Sequence, residues 1–205
     1  MIQLHDLGVS FPHKICFSEF NAIIKRGQRI AIVGDNGCGK SSLLRILYGS
    51  LEPSEGKVIT DLELNIGYVA QEHGDKDGLS GGQRVNQALS QAMANASDVL
   101  LLDEPTNHLD DGNRRSLSRM LQRSHNNISI VLVTHDETLM NEVCDTIWHI
   151  RDGRIEVFSG RYMDYIAEQD LQRKMLEKQL TTIKCARKGT HKALMKENER
   201  ASHAR

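Results

Sequence analysis

Residues 33–42 read V-G-D-N-G-C-G-K-S-S, and no other stretch restricts the fold of this chain as narrowly. Ahead of them, R-I-A-I-V (residues 29–33) is a short apolar, β-branched run of strand type, and behind them S-L-L-R-I-L (residues 42–47) has helical spacing. The pattern G-x-x-x-x-G-K-S from Gly34 to Ser41 therefore falls in a tight turn between a strand and a helix. Gly34, Gly37 and Gly39 let the backbone curl until successive N–H groups point inward, and the helix start adds partial positive charge. Such a loop, with Asn36, Cys38 and Ser42 as its remaining members, holds a phosphate chain. Lys40 would bridge the β- and γ-phosphates of a nucleotide, and the Ser41 hydroxyl would ligate Mg²⁺. An ordinary glycine turn before a helix is the alternative for the bare pattern; the flanking strand and helix favour the nucleotide.

Composition sets the outer limits. A chain of 205 residues holds one well-cored domain plus an appendage. Its net charge of −1 argues neither for nor against a polyanionic partner. Cys16, Cys38, Cys144 and Cys185 form no C-x-x-C pair, so neither a disulfide framework nor a zinc site is implied, and reduced thiols are the expectation. Cys38 reads as a small tolerated residue in its loop. His5, His13, His125 and His149 have no metal-like spacing. No apolar run approaches the roughly 20 residues that span a bilayer, and no basic-then-apolar signal opens the chain. A soluble, cytoplasmic protein without a transmembrane segment of its own is expected.

In chain order, residues 2–9, 16–24 and 28–33 read as strands separated by turns at Phe11-Pro12-His13 and Lys25-Arg26-Gly27. A helix follows to about Tyr48, then strands at 57–60 and 64–69, a polar stretch at 71–78, and a helix at 83–96. Strands at 99–102, 128–134, 146–150 and 154–158 alternate with helices at 112–123 and 137–143. The alternation predicts an α/β fold, a parallel-sheet core carrying an N-terminal antiparallel β-subdomain.

The buried strand 99–102 runs straight into Asp103-Glu104-Pro105. Two carboxylates at the C-terminal end of such a strand lie at the crevice beside the phosphate loop. Asp103 would hold the Mg²⁺ through water, and Glu104 would orient or deprotonate the water attacking the γ-phosphate. Alone, an Asp-Glu pair at a strand end is usually just solvated; the phosphate loop in the same chain makes the catalytic reading the stronger one.

Three more stretches narrow the picture: L-S-G-G-Q (79–83) before a helix, T-N-H-L-D (106–110) after the carboxylates, and T-H-D (134–136) after the next strand. With Gln71 at a strand end, the chain resembles the ATP-binding-cassette (ABC) ATPases, P-loop NTPases, over about residues 1–160. That resemblance implies that Gln71 senses Mg²⁺ and the attacking water and that His135 contacts the γ-phosphate. It further implies that Ser80, Gly81, Gly82 and Gln83 meet the nucleotide held by a partner cassette, with Asp110 at the dimer contact. Phe11 lies 23 residues before Gly34, where the family places an aromatic that stacks on adenine; a lone Phe is otherwise a core residue.

E-P-T-N-H-L-D, T-H-D-E-T-L-M and F-S-G-R-Y-M-D-Y-I (158–166) are similar to the ABC-F group, proteins without membrane spans that mostly act on the ribosome and usually carry two cassettes joined by a charged helical linker. Residues 161–205 hold 11 basic and 6 acidic residues, and Tyr162, Tyr165, Gln169, Leu176, Leu180 and Ile183 fall near one helical face. This basic helical tail resembles the start of that linker; an amphipathic helix packed on its own domain or a partner is the alternative. Two departures stand out. Seven residues separate Gln71 from Leu79, where the family inserts a helical subdomain, and no second cassette follows. The expectation is a soluble ABC-F-like ATPase using ATP and Mg²⁺, pairing with a copy of itself or a separate cassette, and coupling closure to a ribosome or RNA partner. A transporter ATPase subunit and a nucleotide-binding remnant with little turnover are the alternatives.

Overall fold

The computed structural model describes residues 1–70, 81–94, 97–107, 109–124 and 127–203, in two compact units, Met1–Met163 and Asp164–Arg205. In chain order the first unit contains β1 (Ile2–Phe11), β2 (Lys14–Ile24), β3 (Arg29–Gly34), α1 (Lys40–Tyr48), β4 (Glu55–Thr60), β5 (Ile66–Val69) and α2 (Gly81–Ala94). It continues through β6 (Val99–Asp103), α3 (Asp111–Arg123), β7 (Ser129–Val133), α4 (Glu137–Val143), β8 (Thr146–Arg151) and β9 (Arg154–Ser159). The strands form two sheets: an antiparallel one in the order β2-β1-β4 and a six-stranded one in the order β5-β6-β7-β3-β8-β9.

Five strands of the larger sheet are parallel, and β9 pairs antiparallel on its edge. The sequence explains the arrangement. V-L-L-L-D and S-I-V-L-V are buried at every position, as strands covered on both faces must be. Asp152 and Gly153, with φ of 51° and 76°, supply the two left-handed positions of a tight hairpin between β8 and β9. Residues 28–33, expected beside the two N-terminal strands, instead run down the middle of the parallel sheet. Their apolar positions Ile30, Ala31 and Ile32 are wholly buried, whereas β4 has mostly exposed positions and takes the third place in the antiparallel sheet.

The two sheets share one core. Phe20 from β2 meets Trp148 from β8 edge-on, with ring centroids 5.0 Å apart, and α1 packs Leu43, Leu44, Ile46 and Leu47 into the same cluster. Because β6, β7 and β3 are neighbours with the same direction, their C-terminal ends open side by side. That is where ligands bind in open α/β sheets.

The second unit is helical: α5 (Tyr162–His203) extends through it, and Leu171, Met175, Leu176, Leu180 and Ile183 on it are all more than half exposed. Arg173 and Glu177 form an i,i+4 ion pair at 3.3 Å. Among the described residues no helix is long and apolar enough to cross a membrane.

Candidate functional site

The loop after β3 turns on two glycines whose side-chain positions are already taken. At Gly34 (φ +146°) a Cβ would lie 2.6 Å from the Ile150 carbonyl oxygen and 2.8 Å from Cys38 Sγ. At Gly39 (φ +104°) it would lie 3.0 Å from Cys16 Cβ. Gly39 caps α1 without a side chain, which leaves the helix amides facing the loop mouth. Lys40 Nζ donates to the carbonyls of Gly34 (2.8 Å) and Asp35 (3.0 Å), so its ammonium lies across that mouth. Cys38 packs beneath the loop, and burial pushes its thiol up from the ordinary value against the pull of Lys40.

β6 ends at Asp103, a buried residue whose Oδ1 accepts from Ser41 Oγ at 3.1 Å. The next residue, Glu104, takes a left-handed conformation (φ 50°), unusual for a side chain other than glycine or asparagine. Strain of this kind is held in place by its surroundings. Here the Glu104 amide donates to the Val133 carbonyl at 2.8 Å, tying β6 to β7 at the mouth of the sheet. Glu104 Oε1 stands 3.2 Å from His135 Nε2, and Oε2 is buried with no hydrogen-bond partner among the described residues. Burial pushes the Glu104 carboxyl above the ordinary carboxylate range, against the opposing pull of the neighbouring His135. His135 itself is exposed, so the pair bridges the sheet interior and the solvent.

These groups face one cleft of about 400 Å³, lined by Phe11, Asn36, Gly37, Gly39, Lys40, Ser41, Ser42, Glu104 and His135. Phe11 is 51% exposed at the end of β1, so it is a rim residue and not part of the core. Gln71 and Ser80 lie outside the described residues. Gly81 and Gly82 open α2, and Gln83 is exposed in its first turn.

Comparison with known proteins gives these features a family. The ABC transporter model matches residues 17–77, and a second model, described as an AAA domain, matches residues 78–141. The ribosome protection protein VmlR of Bacillus subtilis (strain 168) is 29% identical over 197 residues, covering 84% of this chain and 35% of the relative. ABC transporter F family member 4 of Arabidopsis thaliana is 31% identical over 227 aligned residues, covering 85% of this chain and 31% of the relative. The chain is similar to the ABC ATPases, with members of the F group among its relatives. It spans about a third of the length of those curated relatives. The fold agrees. A dimeric structure of the ATP-binding cassette MJ0796, in a post-hydrolysis state with ADP and Pi, matches with a TM-score of 0.66 and 22% identity. That match covers 78% of this chain and 98% of the other.

Three features of this chain have roles that its motifs alone do not assign. Asn107 joins the cleft lining, and Thr106 and Thr134 share a buried hydroxyl–hydroxyl hydrogen bond of 2.8 Å that fixes the loop after β6 to the loop after β7. The signal available was the threonine standing first in both T-N-H-L-D and T-H-D. The third is Tyr68, whose hydroxyl reaches Asp103 Oδ2 at 3.4 Å.

Asp110 has a local task that the family resemblance did not suggest. Its Oδ1 accepts from the Asn113 amide at 2.7 Å, which makes it the N-cap of α3. Asp110→Ala is expected to cost about 1 kcal/mol of stability, and Asp110→Asn a few tenths, since asparagine caps as well. Urea unfolding of the nucleotide-free protein measures both; equal losses would show that the charge, and not the cap, matters.

Proposed function

We propose that this chain is the ATP-binding and ATP-hydrolysing cassette of an ABC-F-type protein, whose closure on a second cassette changes its hold on a ribosome or another RNA-rich partner. The observation that carries the nucleotide part is the meeting of Lys40, Ser41, Glu104 and His135 in one cleft, the first two from the start of α1 after β3 and the others from just beyond the ends of β6 and β7. Phe11 on the rim offers a ring for adenine, and the amides of residues 36–41 with Lys40 take the phosphates. The oxygen donors fit a magnesium ion: the Ser41 hydroxyl stands 3.1 Å from the buried Asp103 carboxylate, and hydroxyl, carboxylate and water are its usual ligands. Ser41 would hold the ion directly and Asp103 through water, and the family resemblance gives Gln71 the task of sensing it; the ion would neutralise charge on the β- and γ-phosphates.

Glu104 is the base in this reading. Its unpartnered Oε2 is free to accept a proton from a water in line with the γ-phosphate, and His135 holds Oε1 so that the carboxylate keeps its orientation. Ser80, Gly81, Gly82 and Gln83 would complete the site of a partner cassette, a copy of this chain or a separate one. The ribosomal part rests on the likeness to VmlR, a ribosome protection protein, and on the basic tail of residues 161–205.

Pelleting with ribosomes at several salt concentrations tests the partner. Each phosphate neutralised on RNA contributes about 0.7–0.9 to the slope of log affinity against log salt. Lys174, Lys178, Lys184 and Lys188 are exposed on α5, and changing all four to Gln is expected to lower that slope by up to about 3 while leaving ATPase activity intact. Equal slopes for wild type and variant would remove the tail from the nucleic-acid contact.

A further inference from the structure

Tyr68 belongs to none of the motifs, yet it touches the carboxylate at the centre of the site. The two oxygens of Asp103 have different partners: Oδ1 accepts from Ser41 Oγ at 3.1 Å, and Oδ2 accepts from Tyr68 Oη at 3.4 Å. Register explains how. β5 runs parallel to β6 with Tyr68 opposite Leu101, two residues before Asp103, so a side chain as long as tyrosine reaches forward to the strand end. The ring is held from the far side by Tyr48, the last residue of α1, with centroids 5.2 Å apart and planes 32° from parallel. One helix therefore supplies Ser41 for the first carboxylate oxygen and, through Tyr48, steadies the donor to the second.

We infer that Tyr68 is a positioning residue for the divalent cation: by holding Oδ2, it fixes the rotation of the Asp103 carboxylate so that Oδ1 stays with Ser41 on the cation side. A buried carboxylate with one oxygen unpartnered is free to turn and is costly to keep ionised, and either change weakens its hold on a metal or on a metal-bound water. The inference rests on the reading that Ser41 and Asp103 hold the ion. It assigns to Tyr68 no contact with nucleotide.

Tyr68→Phe removes the hydroxyl and keeps the ring on Tyr48, so the packing survives. Binding of a fluorescent ATP analogue is measured in EDTA and across a Mg²⁺ titration for wild type, Tyr68→Phe and Ser41→Ala, with Mn²⁺ binding followed by electron paramagnetic resonance. The expected result for Tyr68→Phe is unchanged affinity in EDTA and a rise of about fivefold to tenfold in the Mg²⁺ concentration giving half-maximal binding. The same rise is expected in the Mn²⁺ dissociation constant. If Ser41→Ala shifts the Mg²⁺ requirement and Tyr68→Phe does not, the role of Tyr68 is overturned while the metal site stands. If Tyr68→Phe weakens binding equally in EDTA, Tyr68 props the loop and does not serve the metal, which also overturns it. If neither variant moves the Mg²⁺ requirement, the metal reading of Ser41 and Asp103 has failed and takes this inference with it.

Discussion

Replacing Glu104 by Gln is expected to leave ATP binding intact and to cut hydrolysis by about a hundredfold or more. Glutamine keeps the length of the side chain and an oxygen that can face His135 across the 3.2 Å contact, but it cannot take a proton. The fold should not suffer. A carboxylate buried as deeply as this one is penalised for its charge, and the amide relieves that penalty. The same burial shapes the pH profile of the wild type. The ionised form is the working base, and burial raises the carboxyl above the ordinary glutamate range. Activity is therefore lost on acidification sooner than a solvated glutamate would lose it. The glutamine variant lacks that limb of the profile. Phosphate release in a single turnover, with ATP binding measured in parallel, checks the first claim. Turnover within about tenfold of wild type would mean that the water is activated elsewhere. The same variant should trap the ATP-bound pair of cassettes. Gel filtration at saturating ATP then tests pairing, and a monomer would exclude closure of this chain on its own copy.

Much of this site was legible because its chemistry is local. The strand before Gly34, the glycines and Lys40-Ser41 form one continuous stretch, and the loop conformation at Gly34 and Gly39 follows from crowding that only glycine tolerates. The strands ending at Asp103 and Val133 were readable for a related reason. Both are apolar on each face, a pattern that belongs in the middle of a parallel sheet. What resisted reading depends on long-range placement. Residues 28–33 and 57–60 look equally strand-like, and only the assembled core shows that the first crosses to the parallel sheet while the second joins β1. Tyr68 meets Asp103 because of the β5–β6 register, which no local pattern encodes. Asp110 illustrates the opposite case. The family resemblance drew attention to a distant contact, whereas D-D-G-N ahead of a helical run is a capping signal in its own right.

Changing Lys40 to Ala is expected to lower ATP affinity by at least about tenfold, or about 1.4 kcal/mol. Among the described residues lining the cleft, Lys40 carries the one permanent positive charge, so no other described residue on its walls takes over the pairing with the phosphates. Its present contacts favour that role. The ammonium is anchored to two carbonyls of the loop itself, at 2.8 and 3.0 Å, and so already lies above the turn that receives the phosphate chain. Little reorganisation is then needed on binding, and pre-organised groups lose less on association. The truncation also removes those two hydrogen bonds from the nucleotide-free loop, so a lower affinity alone would not separate lost charge from a collapsed loop. Lys40→Met separates them in part, because it keeps most of the stem and removes the charge. Equal losses in Lys40→Ala and Lys40→Met, with melting of the free protein little changed, identify the charge as the cause. A larger loss for Lys40→Ala, matched by a lower melting temperature, would assign the difference to the loop. Unchanged affinity in both would refute residues 34–41 as the phosphate site, whatever the shape of the loop.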